Sequence, residues 1–446
     1  MNWPDGAPLS RRRLLAQTLG GCAGLLCASR PDLSVLASCL PKAEGKAKAV
    51  IQIWLQGGPP HLDTFDPKPG AGRDYCGPYA KSIPTSVDGI EISPQLPLLA
   101  READKYALLR GMTHGNNGHE TAAYLVQAGR KAGGELVFPG FGSVVASIKA
   151  PKADSKNLLP PYVVVPRPQG RFSEAGFLSS KYKPFATGGD PNKDPFAVEG
   201  LIAENVTEER QRDRRDLLTR LDQFGGDDPL ARNLDGCREQ AYSMILGEAG
   251  KAFTLSQEKK EVRDRYGRTS FGQSCLLARR LVERGVSFVT INYPGWDTHK
   301  QNFQTLGRKL PELDAGLAAL LGDLAERGLL ETTIVWASGE FGRTPRIQWE
   351  APWHGGRGHH GKAFSALVAG GGFKGGRVVG KTDERGETVV ERPIYPWDLM
   401  ASMYQLLGIA PDARLTTPQG ETPFVSPLAG KEIAAKETAG ILKEIL

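Results

Sequence analysis

Short runs rich in Val and Ile, mostly bounded by Gly or Pro, recur through this chain with helical patterns between them. The runs span 49–55, 106–110, 162–165, 286–291, 332–337 and 363–369. Runs this short and this apolar predict strands buried on both faces, as in a parallel sheet covered by helices. The clearest helical pattern sets Phe303, Leu306, Leu310, Leu313, Leu317, Leu320 and Leu324 at three- and four-residue spacing, which makes one apolar stripe. Two more cover 271–284 and 396–407, the latter opening with Pro396 and stopping at Gly408. A charged stretch, 204–224, predicts a solvated helix within a helical cap around 190–270. Such alternation specifies a three-layer α/β/α domain with a mostly parallel central sheet, one large domain over 38–446.

In open α/β sheets, ligands bind at the carboxyl ends of the strands. All seven histidines fall in four clusters rich in Gly, Pro, Asn and acidic residues, and most follow predicted strands. The run 49–55 leads into His61 and Asp63, 106–110 into Thr113 and His114 with His119 beyond, 286–291 into Asp297 and His299, and 332–337 into Glu340 and Arg343. His354, His359 and His360 form the last cluster. Imidazoles mixed with carboxylates suit zinc or manganese better than calcium or magnesium. One ion would polarise a substrate, and two about 3.5–4 Å apart would clamp both the attacking and the leaving oxygen of a displacement. The expected ligands are Asp297, His299, Glu340, His359 and His360, with His61, Asp63, His114 and His119 as supporting candidates. Arg343, Arg346 and Arg357 lie in the same loops and have the paired donors that grip an anionic ester. Each position has a plainer structural reading. Asp63 and Asp66 would organise the turn before Pro67, His119 would start a helix, Glu340 would pair with Arg343, and His354 would be a loop hydrogen-bonder.

The N-terminus carries Ser10-Arg11-Arg12-Arg13-Leu14-Leu15 ahead of a Gly- and Ala-rich apolar run too short to span a bilayer. This predicts a twin-arginine export signal over 1–37 and a periplasmic or extracellular destination. A lipobox-like Leu19-Gly20-Gly21-Cys22 offers lipidation of Cys22 as the lesser alternative. Without residues 1–37 the formal charge falls from +6 to +4, because four basic and two acidic residues leave. That balance provides no electrostatic footprint for nucleic acid. No later segment is apolar enough to be transmembrane. Cys39, Cys76, Cys237 and Cys275 show no CxxC spacing, so neither a zinc ribbon nor a disulfide framework is indicated, although one disulfide is compatible with export.

The runs GGPPHLDTFDPKP, GNNGHETAAYLVQAG, WDTHKQNF, SGEFGRTPR, GGRGHH, AFSALVAGGGFKGG and GKTDERG resemble the domain of unknown function 1501 family in order and over essentially the whole mature chain. That family is similar to the alkaline phosphatase and sulfatase superfamily. The resemblance implies an alkaline phosphatase-like fold, a divalent metal site of one or two ions, and hydrolysis of phosphate or sulfate esters. It places the ligands at 56–63, at Asp297 and His299, at Glu340, and at His359 or His360. It implies a nucleophile within GMTHGNNGHETAAYL, where Thr113 at the strand exit is better placed than Thr121. Gly358 stands where the related Gly-Arg-Asp-His motif has Asp. A second class is therefore open, a degenerate member binding an anionic glycan or a surface partner. A zinc peptidase would need an HExxH helix, which is absent.

Residues 375–382, GGRVVGKT, match the phosphate-loop pattern but lack its context. Val378 and Val379 read as strand, 383–386 as a turn and Val389-Val390 as strand again. A hairpin is expected instead of a nucleotide site.

Overall fold

The computed structural model describes residues 45–446 apart from 134, 150–158, 169, 171–173, 195, 200–206, 222–240 and 248. The expected export signal over 1–37, Cys22, Cys39 and Cys237 lie outside the described residues, as does part of the expected cap. The six apolar runs all become strands, and two short segments join them. They are β1 (Ala49–Trp54), β2 (Tyr106–Met112), β3 (Tyr162–Val165), β4 (Phe185–Ala186), β5 (Phe288–Asn292), β6 (Thr333–Ser338), β7 (Phe364–Ala369) and β8 (Arg377–Val379). These eight form one sheet in the order β8-β2-β7-β6-β1-β5-β3-β4. The fold is thus α/β with a large, mostly parallel central sheet.

One strand departs from the expected direction. β7 is antiparallel to both neighbours, β2 and β6, whereas every other pairing in the sheet is parallel. A parallel return needs a crossover to the far edge, usually a helix. The chain leaves β6 and runs through 339–363 with no helix, so it re-enters from the edge where it left. The amino end of β7 therefore shares an edge with the carboxyl ends of β1, β2, β5 and β6. His359 and His360, just before β7, come to that same edge for this reason.

Helices cover both faces. Ile51 and Ile53 of β1, with Leu55 just beyond it, pack in one apolar cluster with residues of α3 (Ser270–Glu283) and α4 (Asn302–Glu326). In α4 the leucine stripe from Leu306 to Leu324 is fully buried, as its spacing requires. On the opposite face Gln52 bonds Gln127 of α1 (His119–Ala128), at 3.1 Å. Phe141 of α2 (Phe141–Lys149) packs edge-on against Phe288, Trp336 and Tyr404, the last from α5 (Pro396–Leu406). The charged stretch forms a largely exposed helix, Glu208–Leu221.

Arg377–Val379 is an edge strand of the main sheet, and Lys381–Thr382 pairs antiparallel with Val389–Glu391. Residues 383–388 form a turn and not a helix, so the phosphate-loop match lacks the helix N-terminus it would need directly after it. Cys76 and Cys275 are free and buried. Among the described residues no helix is long and apolar enough to cross a membrane.

Candidate metal centre

The loops leaving β1, β5 and β6 meet backbone to backbone. Gly57 has φ 110°, and a Cβ there would lie 2.3 Å from the Asp297 nitrogen. A side chain at this position would be strained and would push Asp297 away. The Gly57 N–H donates to both Glu340 oxygens, 3.0 Å to each.

Four side chains converge above this contact. His299 Nε2 and His359 Nε2 lie 3.1 and 3.2 Å from Asp297 Oδ1, and 2.8 Å from each other. His119 Nε2 lies 3.4 Å from Asp297 Oδ2. His119, Asp297 and His359 each offer a ligand atom within 4.8 Å of the others. The outer nitrogens of two rings are spoken for. His119 Nδ1 donates to Glu340 Oε1 at 2.7 Å, and His359 Nδ1 donates to the Asn117 carbonyl at 2.8 Å. These bonds hold both rings in the tautomer whose Nε2 lone pair faces Asp297, the arrangement found behind metal-bound histidines. His299 Nε2, 2.8 Å from His359 Nε2, would serve as a ligand with its proton on Nδ1. Three imidazole nitrogens and a carboxylate make a donor set that fits zinc or manganese.

The charges are tuned by neighbours. Burial alone would raise the Asp297 carboxyl, but the Arg343 guanidinium and its hydrogen bond outweigh that and hold it below its ordinary value. The bond to Glu340 raises His119. Burial lowers His299, against the pull of Asp297. A cavity of about 390 Å³, lined in part by Trp54, Gly57, His119, Asp297 and Glu340, opens onto the cluster.

Other expected site residues are placed elsewhere. Glu340 is buried and turned to His119 and Gly57, so it orients a ligand and does not pair with Arg343 through any described bond. His360, one residue from His359, donates to the Glu387 carbonyl at 2.8 Å and stacks on His61 at 6.2 Å. His61 in turn donates to the Gly386 carbonyl at 2.8 Å. Both are thus bonded to the 383–388 turn. His114 is used at both nitrogens: Nδ1 accepts from Asn116 N at 3.0 Å, and Nε2 donates to the Glu340 carbonyl at 2.7 Å. Asp63 and Arg357, 1% and 0% exposed, face each other as a two-point ion pair with both contacts at 2.9 Å. Arg357 spends its remaining donors on the carbonyls of Thr344, Pro345 and Tyr75, so it has none left for a substrate. Arg343 is equally buried and bonds Gly57 O, Gly58 O, Arg357 O and Asp297. It braces a ligand. Arg346 and His354 are exposed. Thr113 is half-buried at the end of β2, where its N–H donates to the Ile394 carbonyl at 3.0 Å.

Two contributors carry no side-chain signal in the sequence. The Asn117 carbonyl and the Gly57 N–H act through the backbone, and only the Gly57-Gly58 pair after β1 hints at the second.

The family model described as a protein of unknown function, DUF1501, matches residues 47–435, and the chain belongs to that family. No curated protein matches it. Among solved structures it is similar to the sulfatase PsFucS1 from Pseudoalteromonas sp., at 13% identity over 85% of this chain and 72% of that one, with a TM-score of 0.35. It is similar to the alkaline phosphatase of the Antarctic bacterium TAB5, at 11% identity over 82% and 99% of the two chains, with a TM-score of 0.38. A phosphonate monoester hydrolase from Silicibacter pomeroyi matches at 12% identity over 82% and 74%, with a TM-score of 0.32.

Proposed function

We propose that this member of the DUF1501 family is a metal-dependent hydrolase of phosphate or sulfate esters, exported by the twin-arginine route to work outside the cytoplasm. The observation that carries this reading is the convergence of His119, His299 and His359 on Asp297, with two rings held from behind by Glu340 and the Asn117 carbonyl. When bound, a zinc or manganese ion there would supply Lewis acidity toward an ester oxygen. Asp297 and the three imidazoles would hold the ion, and Arg343 fixes the carboxylate that anchors them. The adjoining cavity has room for a small ester. Thr113, at the exit of β2, is the hydroxyl this reading offers as nucleophile.

One observation favours a second reading. Arg343 and Arg357 are engaged within the protein, and no described contact ties Thr113 to the four ligands. A member that keeps the ion site but binds an anionic glycan without cleaving it fits those facts. Elemental analysis of natively exported protein, with turnover of 4-nitrophenyl phosphate and 4-nitrophenyl sulfate, decides between them. The hydrolase reading expects bound transition metal and turnover, both lost in Asp297→Asn. Bound metal without turnover favours the degenerate member, and protein that neither carries nor takes up metal sinks both.

A further inference from the structure

A segment rich in aromatic residues is fastened to the strand-end loop that carries His299. Ile347 N bonds Asp74 O at 2.8 Å, Gln348 N bonds Gly356 O at 3.0 Å, and Gly355 N bonds Gln348 O at 2.8 Å, which closes the turn on itself. Arg357 N donates to Thr298 O and Gln301 N donates to Trp353 O, both at 3.0 Å, tying it to either side of His299. At Gly356 the two backbones are in such close contact that a Cβ would lie 1.8 Å from the His299 carbonyl oxygen. The segment therefore holds a fixed position beside the ligand.

Two tryptophans project from it. Trp353 is half-buried, with its ring centre 6.3 Å from that of His299. Trp349 is 41% exposed and lies nearly flat on Phe303, 6.0 Å apart at 20°. The guanidinium of Arg73, itself exposed, stands 6.0 Å from the Trp349 ring centre. The exposed cations on these segments are Arg73, Lys300 and Arg346, and the exposed acids are Asp74 and Glu350. A single exposed apolar side chain needs no explanation. Trp349 offers an exposed, pre-positioned indole with a cation near its ring, and Trp353 on the same segment stands beside His299; together they call for a partner having an apolar face, a polar edge and negative charge. A saccharide ring bearing an anionic ester has all three: its C–H face packs on the indole, its hydroxyls meet water and polar side chains, and its ester pairs with a guanidinium.

We propose that Trp349 and Trp353, with Arg73, form a saccharide subsite next to the metal centre, and that the ligand is an ester-substituted glycan. This rests on the hydrolase reading only for what happens to the ester, since the subsite itself needs no ion.

The test is binding, followed by calorimetry and tryptophan fluorescence, in zinc-free and zinc-loaded full-length protein. The probes are a sulfated galactan hexasaccharide, a heparin hexasaccharide and the desulfated galactan. Wild type is expected to bind at least one sulfated probe more tightly than the desulfated one. Trp349→Ala should weaken that binding about tenfold or more, the loss of one aromatic platform. Trp349→Phe should recover part of it, and Arg73→Ala should erase the preference for sulfate. Failure of wild type to bind either sulfated probe, or binding that Trp349→Ala leaves intact, overturns the proposal. Saccharide binding without zinc binding would refute the metal reading alone, and zinc binding without saccharide binding would refute the subsite alone.

Discussion

Replacing Arg357 by methionine tests whether this arginine supports the fold or contacts a substrate. Its guanidinium and the Asp63 carboxylate are 0% and 1% exposed, joined at two points of 2.9 Å, and Asn302 donates to the same carboxylate at 2.9 Å. Removing the cation strands a buried carboxylate, which costs about 3–5 kcal/mol. Burial already raises the Asp63 carboxyl above its ordinary value even with Arg357 beside it, so in the variant it will take up a proton. The folded form then binds more protons than the unfolded one, so stability falls as pH rises. The loss should therefore be smaller near about pH 5 than near about pH 8. Removing both partners, Asp63→Leu with Arg357→Met, should recover about 2 kcal/mol or more, because no charge is left buried. Urea denaturation followed by circular dichroism measures all three proteins and the wild type. A loss below about 1 kcal/mol in Arg357→Met, or a double variant no more stable than the single one, refutes the reasoning.

Burial pushes His61 from 6.5 down to about 4. The unfolded chain takes up a proton below about pH 6.5 and the folded one only near 4, so this contribution to stability is full above that window and drains as pH falls through it. At about pH 5 the loss comes to about 2 kcal/mol, and His61→Gln should flatten the urea-midpoint profile by that amount; an unchanged slope contradicts it. Glu340→Gln removes the carboxylate that orients His119, so zinc affinity should fall about 10–100-fold in a chelator competition while the overall fold persists. Unaltered affinity would show that Glu340 has no part in the site.

Much of the layout is legible in the residues themselves. The leucine stripe of α4 and the Val- and Ile-rich runs report their partners directly, because burial on one face or two leaves its period in the residues. Asp297 and His299 were readable for a related reason: carboxyl ends of parallel strands share an edge, so acids and histidines just beyond them gather there. Glu340 and Arg343 lie in the right place, yet they act by holding His119 and Asp297. Residue type shows that a group can ligate, but a second acceptor or donor at its back is a property of packing. Arg357 and Asp63 illustrate the same limit. Loop residues rich in charge suggest a binding surface, and these two instead neutralise one another in the interior.

The sequence by itself determined the alternation of strands and helices and the edge on which the histidines collect, since both follow from local periodicity and turn chemistry. Tertiary structure decided which of those histidines meet. Residues 359 and 360 pair antiparallel with 343 and 342, and neighbouring residues on a strand point to opposite sides. That register turns His359 to Asp297 and His360 to the 383–388 turn, and β7 can deliver them there only because it runs against the rest of the sheet. A one-residue slip would exchange the two roles without changing a letter of the sequence.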